Sequence, residues 1–176
     1  MSYKRLDNVW VRGDQPSPNT QPLTYIFQPS RQQTQQLFKE KKMQDVIIGK
    51  YRLSKTENFD AFLAEIGLGY IKRKLAQSTS PEITISRDGD RWTMVTSSAL
   101  STSQVSFVLG EDFAEDRQDG VSVTSRVTAD DSNTWTQTQK PGDGKDVTIV
   151  REFGDKELKV TSTVNGVTAH RVYVRV

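Results

Sequence analysis

Two stretches of this chain set cationic and phenolic side chains into strand-like alternation, and the chemistry available to such a pattern is recognition of an anion. In Lys145–Phe153 the residues Val147, Ile149, Arg151 and Phe153 share one face, while Asp146, Thr148 and Glu152 share the other, with Val150 the exception. Arg151 therefore lies on an apolar face. A guanidinium keeps its charge, and out of water it needs an acidic or hydrogen-bonding partner. The run His170–Val176 places Arg171, Tyr173 and Arg175 on one face and the valines on the other. If that face points inward, two cations and a phenol look across a common space. If it points outward, the valines pack the core and the cations are solvated; alternation alone fixes no inside.

Resources for other chemistry are few. The chain has one histidine and no cysteine, which removes disulfides, thiolate metal sites and a plausible zinc site. A Ser-His-Asp hydrolase would have to use His170, which alternates away from Arg171 and belongs to no G-x-S-x-G elbow. Neither enzymatic activity nor a metal or cofactor is expected.

The elements that must position these residues follow from hydrophobic period and turn chemistry. Val46–Leu53 reads as a strand that stops at Ser54-Lys55-Thr56. A helix pair follows, with Phe59, Phe62, Leu63 and Ile66 and then Tyr70, Ile71 and Leu75 at spacings of three and four, Asn58 or Thr56 as N-cap, and Gly67 and Gly69 as the break. After Pro81 come nine predicted strands, separated by turn signals such as Arg87-Asp88-Gly89-Asp90, Gln118-Asp119-Gly120, Asp130-Asp131-Ser132-Asn133, Pro141-Gly142-Asp143-Gly144 and Asn165-Gly166. One strand, a helix pair and nine antiparallel strands predict an all-β protein, an up-and-down barrel with the helices over one mouth. A barrel of this size encloses one small ligand.

Residues 1–43 differ in character. They hold four of the six prolines and seven glutamines, show no sustained period, and are expected to be disordered or loosely docked; residues 44–176 form the barrel domain. The first segment carries seven Lys/Arg against three Asp/Glu, the second seventeen against nineteen. A nearly neutral body argues against nucleic-acid binding, which needs a basic stripe. Asp7, Asp14 and the prolines spoil a basic amphipathic presequence, and no apolar stretch serves as a secretion signal or approaches the roughly 20 residues of a membrane span. A cytoplasmic address, extending to the nucleus, is expected.

From about Val46 to Val176 the chain resembles the intracellular lipid-binding family, whose best-known members are the fatty-acid-binding proteins. The resemblance rests on Gly49-Lys50-Tyr51-Arg52-Leu53, Glu57-Asn58-Phe59-Asp60, Gly67-Leu68-Gly69, Ser106 to Phe113, Asp119-Gly120, Val150-Arg151-Glu152-Phe153 and Arg171-Val172-Tyr173. A secreted lipocalin competes through Gly49-x-Tyr51, but cysteines are lacking and the helix pair is in the wrong place. Relatives begin near Met43, which makes it an alternative start.

The resemblance implies a ten-stranded antiparallel β-clam with a helix-turn-helix lid after the first strand, binding and transporting a long-chain fatty acid as a monomer. It implies that Arg151, Arg171 and Tyr173 hold the carboxylate; retinol-binding relatives carry neutral amides at the two arginine positions, so an anionic head group is indicated. Phe59, Phe62 and Leu63 are carried over as lid positions and Leu100 as a portal position where many relatives have phenylalanine. Should the arginines pair internally instead, Glu111 and Asp112 are the carboxylates nominated. Lys72, Arg73 and Lys74 are candidates for transient contact with anionic membranes. Two other readings stay open: a carrier of another hydrophobic carboxylate, such as a retinoic-acid-like ligand, and an interaction scaffold that uses the N-terminal tail.

Overall fold

The computed structural model describes residues 3–6, 9–12, 26–27, 29–117, 119–130, 132–142 and 144–176. The chain divides into two compact units, 1–43 and 44–176. The first contains a small antiparallel sheet of β1 (Tyr3–Leu6), β2 (Val9–Arg12) and β3 (Ile26–Phe27). A helix where no periodicity led us to expect one, α1 (Arg31–Ile47), starts at a reciprocal capping box: the Gln33 N–H donates to Ser30 Oγ at 3.2 Å and the Ser30 N–H to Gln33 Oε1 at 2.7 Å.

The second unit is the expected barrel. It runs β4 (Gly49–Glu57), α2 (Phe59–Glu65), α3 (Tyr70–Gln77), β5 (Glu82–Asp88), β6 (Arg91–Ser97), β7 (Thr102–Val108), β8 (Asp112–Asp116), β9 (Ser122–Ala129), β10 (Thr134–Pro141), β11 (Val147–Phe153), β12 (Glu157–Val164) and β13 (Val167–Arg175). Ten strands form one antiparallel sheet in the order β7-β6-β5-β4-β13-β12-β11-β10-β9-β8, so the first barrel strand pairs with the last, and β7 and β8 are the two edges. Asn165 and Gly166, at φ 46° and 79°, make the two-residue turn between β12 and β13 that matches the twist of the strands.

Two clusters hold this barrel. Trp135 meets Trp92, Phe153 and Phe107 edge-on with centroids 4.9, 5.0 and 5.5 Å apart, each such pair contributing about 0.5–1.5 kcal/mol beyond burial. Phe62, Leu63 and Leu68 pack on Val147, Val164 and Ala169, which seats the helix pair on the barrel.

The first barrel strand begins three residues later than its apolar run predicts and extends through the supposed stop to Glu57, because Val46 and Ile47 belong to the end of α1. Their carbonyls are taken by side chains of the first and last barrel strands. The Tyr51 hydroxyl lies 2.8 and 2.9 Å from the carbonyls of Val46 and Ile47, and the Arg175 guanidinium donates to Ile48 O at 2.8 Å, to Val46 O and to Asp155 O, while lying over the Tyr51 ring. A Cβ on Gly49 would fall 2.2 Å from Arg175 Nη1, so glycine is what lets the guanidinium through. Asn58 is the residue before α2 as expected, yet caps nothing: at φ 55° its amide donates instead to Thr168 O at 2.7 Å.

Candidate functional site

The barrel encloses a cavity of about 950 Å³. Its wall carries the alternating residues of β11 and β13. Arg151 is opposite Val160, and Val160 opposite Arg171, so the two arginines occupy one row two strands apart, about 10 Å between backbones at the usual strand spacing. Tyr173 is two residues further along β13. All three line the cavity, and the exposed position of Val174 shows that the outward face of β13 is the valine face.

The site is rich in unspent donors. Arg151 is 7% exposed and donates Nη1–H to Gln137 Oε1 at 2.8 Å, while its Nε–H meets no acceptor among the described residues. The same is true of Arg171 Nε–H, and the Arg171 guanidinium lies over the rings of Phe59 at 4.2 Å and Tyr173 at 5.3 Å. Burial lowers the pKa of both guanidiniums from its ordinary value, against the opposing pull of Glu115 and Tyr173 on Arg151 and of Tyr173 on Arg171. Burial also raises the Tyr173 phenol, with Arg171 and then Arg151 opposing, so it stands near neutrality as an O–H donor. Two cations and one hydroxyl thus converge on a space with the chemistry of a carboxylate's counterpart.

Sequence reasoning missed the polar residues that brace this group. Glu115, inward on β8, accepts hydrogen bonds from Gln137 Nε2 at 2.9 Å and from Gln139 Nε2. Gln137 therefore bridges Glu115 to Arg151, its amide oriented by the two charges. Burial raises the Glu115 pKa above the ordinary 4.5, with Arg151 and the two glutamines opposing. The carboxylates nominated from sequence, Glu111 and Asp112, do not take this place. Both are exposed, and Asp112 pairs with Arg126 at 2.7 Å. The signal lay in the period: Phe113 and Glu115 alternate with exposed Asp112, Ala114 and Asp116.

Phe59, Phe62 and Leu63 line the cavity from α2, and Phe62 and Leu63 are also buried in the packing under the lid. Leu100, in the loop between β6 and β7, borders the cavity while remaining 58% exposed. The α3 cations separate. Lys72 and Lys74 are exposed, whereas Arg73 donates to Asp60 Oδ1 at 3.2 Å and to Leu68 O at 3.3 Å, tying α3 to α2. Tyr70, Ile71 and Leu75 are exposed beside them.

Comparison with known proteins places this architecture. Residues 48–176 match the model of the lipocalin / cytosolic fatty-acid binding protein family. The chain belongs to that family. It is 52% identical over 127 residues to a fatty acid-binding protein of Tyrophagus putrescentiae, covering 72% of this chain and 95% of the relative, and 43% identical over 129 residues to one of Schistosoma japonicum, covering 73% and 96%. Among solved structures, the Schistosoma mansoni fatty acid binding protein in complex with arachidonic acid superposes with a TM-score of 0.71 at 36% identity, covering 76% of this chain and 98% of the other. A fatty acid-binding protein from Drosophila melanogaster brain tissue gives 0.68 at 45% identity, covering 72% and 98%. This is a family of carriers rather than catalysts, and the chain is not an enzyme. The family match begins at residue 48, so all of α1 and all of the small N-terminal sheet lie outside it. Among the described residues no helix is long and apolar enough to cross a membrane.

Proposed function

We propose that this family member binds a long-chain fatty acid inside the barrel, its carboxylate held by Arg151, Arg171 and Tyr173, and transports it as a monomer in the cytoplasm, with access to the nucleus. The observation that carries the reading is the pair of buried guanidiniums, each with an Nε–H that has no acceptor among the described residues, facing one cavity beside a buried phenol. An unpaired buried cation is costly, and a carboxylate relieves that cost with charge-assisted, forked hydrogen bonds. The cavity lies within the roughly 300–1,000 Å³ of small-molecule sites. Apolar walls from Phe62, Leu63, Ile83, Met94 and Val160 receive the chain, each buried methylene contributing about 0.8 kcal/mol before ordering costs. The relative solved with arachidonic acid supports a ligand of this class. Residues 1–43 are assigned as a separate extension, and Lys72 and Lys74, flanked by exposed Tyr70 and Ile71, as the surface that meets anionic membranes during delivery.

Binding to delipidated protein tests the reading. Palmitate should bind one to one, more tightly than hexadecanol of equal chain length, because the alcohol leaves both guanidiniums without an anion. Equal affinities would remove the clamp, and tighter binding of retinoic acid than of any fatty acid would replace the ligand while keeping it.

A further inference from the structure

Arg117 is a further buried guanidinium in the wall of the same cavity, and the head-group site makes no use of it. It follows β8 in the turn to β9, where its N–H donates to Val121 O at 3.0 Å and its carbonyl accepts from the Gly120 N–H at 2.9 Å, with Gly120 at φ 88°. Asp119 takes two of its donors, Nε–H at 3.2 Å and Nη2–H at 2.5 Å. Asp119 is itself fixed, because Oδ1 also accepts the Val121 N–H at 3.1 Å. The side chains of Arg117 and Asp119 are only 8% and 5% exposed. One donor nitrogen is left over: Arg117 Nη1 is buried and meets no acceptor among the described residues.

The chemistry of that leftover donor is narrower than that of Arg151 or Arg171. Asp119 already balances the charge, so a second carboxylate would leave a net negative charge in a desolvated wall. A neutral oxygen satisfies the N–H and adds no charge. Its place along the ligand follows from the strand register. The row of Arg151 passes through Trp135 to Ala129 on β9, whereas Arg117 is bonded to Val121, which lies further along that strand by about 25 Å at ~3.3 Å per residue. That separation is longer than half of an extended sixteen-carbon chain, so only the distal half of a ligand whose carboxylate is at Arg151 can come near Arg117.

The geometry points to a second polar subsite at Arg117, which favours fatty acids carrying a hydroxyl, oxo or epoxy oxygen in the distal half of the chain. It rests on the head-group reading above. The test uses the delipidated full chain and calorimetry with hexadecanoic acid and its monohydroxylated forms, the hydroxyl scanned along the distal half. For at least one position, the affinity ratio of hydroxy acid to plain acid should fall about tenfold from the native protein to Arg117→Met, the scale of one hydrogen bond to a charged donor. Plain hexadecanoic acid should bind both proteins alike, within about twofold, since its hydrocarbon chain offers Nη1 no acceptor. Because the ratio is taken within each protein, general loosening of the β8–β9 turn cancels. Arg117→Gln, which retains an amide for Asp119, gives the same comparison if the methionine variant folds poorly. Failure of hexadecanoic acid itself to bind the native protein would overturn the head-group reading and this inference with it. Normal binding of that acid with a ratio unchanged at every hydroxyl position would overturn the Arg117 subsite alone.

Discussion

Replacing Arg151 by glutamine separates the head group's contribution from that of the hydrocarbon chain. In the native site Arg151 spends Nη1 on Gln137 and holds Nε free of any acceptor among the described residues, so a carboxylate gains at least one new charge-assisted bond there. Such a bond contributes about 1.5–3 kcal/mol net, and its loss should weaken palmitate binding roughly 10- to 100-fold. Hexadecanol should be unaffected or slightly favoured, since a neutral head then faces a neutral amide. The ratio of palmitate to hexadecanol affinity is therefore the quantity to measure, by calorimetry on delipidated protein, and it should fall by the same roughly 10- to 100-fold. Arg171→Gln should act in the same direction, and the double variant should lose less than the sum, because both donors serve one carboxylate. A ratio unchanged in both single variants would refute the assignment, however the absolute affinities moved.

Glu115 supplies a pH dependence: a ligand carboxylate near Arg151 raises the already elevated Glu115 pKa further, so binding takes up a proton and palmitate affinity should rise as pH falls toward the ordinary carboxylate range, a slope that Glu115→Gln should flatten. The same raised pKa makes the ligand-free fold lose stability as pH climbs through the window above 4.5, which melting of Glu115→Gln against the native chain should reveal as a gain confined to the higher pH values. Transfer of bound fatty acid to vesicles should accelerate with vesicle concentration and anionic lipid and slow with salt, and charge reversal at Lys72 and Lys74, each contributing about 1 kcal/mol near such a surface, should remove that dependence without changing affinity; a rate indifferent to vesicles would mean release through water. Removal of residues 1–43 should leave melting temperature and ligand affinity unchanged, and a loss of many degrees would show the extension to be part of the folded unit.

The legible parts of this molecule are those whose information is local. Val147, Ile149, Arg151 and Phe153 announce an inward face by alternation, and Asn165-Gly166 announces its turn by backbone preference. What alternation left undecided was β13, where valines and arginines compete for the inside; family resemblance, rather than hydropathy, favoured the side the structure adopts. Glu115 was hidden because β8 has too few apolar residues for its period to stand out from Asp112 and Asp116. The capping box at Ser30 and Gln33 was readable but lay in a segment whose prolines and glutamines suggested no structure. Val46 and Ile47 misled for a different reason: β-branched residues favour strands, and what holds them at the end of a helix is the Tyr51 hydroxyl together with Arg175, which is 129 positions away from Val46.

The grip of Arg175 on Val46 joins residues 129 positions apart, and the pairing of β13 with β4 spans nearly as far. During synthesis β4 emerges early, finds β5 on one side, and keeps its other edge open while eight further strands are made. An open edge invites pairing with neighbouring nascent chains, and closing so long a loop is entropically slow. The barrel seam can therefore close only once residue 175 has cleared the ribosome. Polysomes translating this message are where its aggregation hazard, and any need for a chaperone, should be greatest.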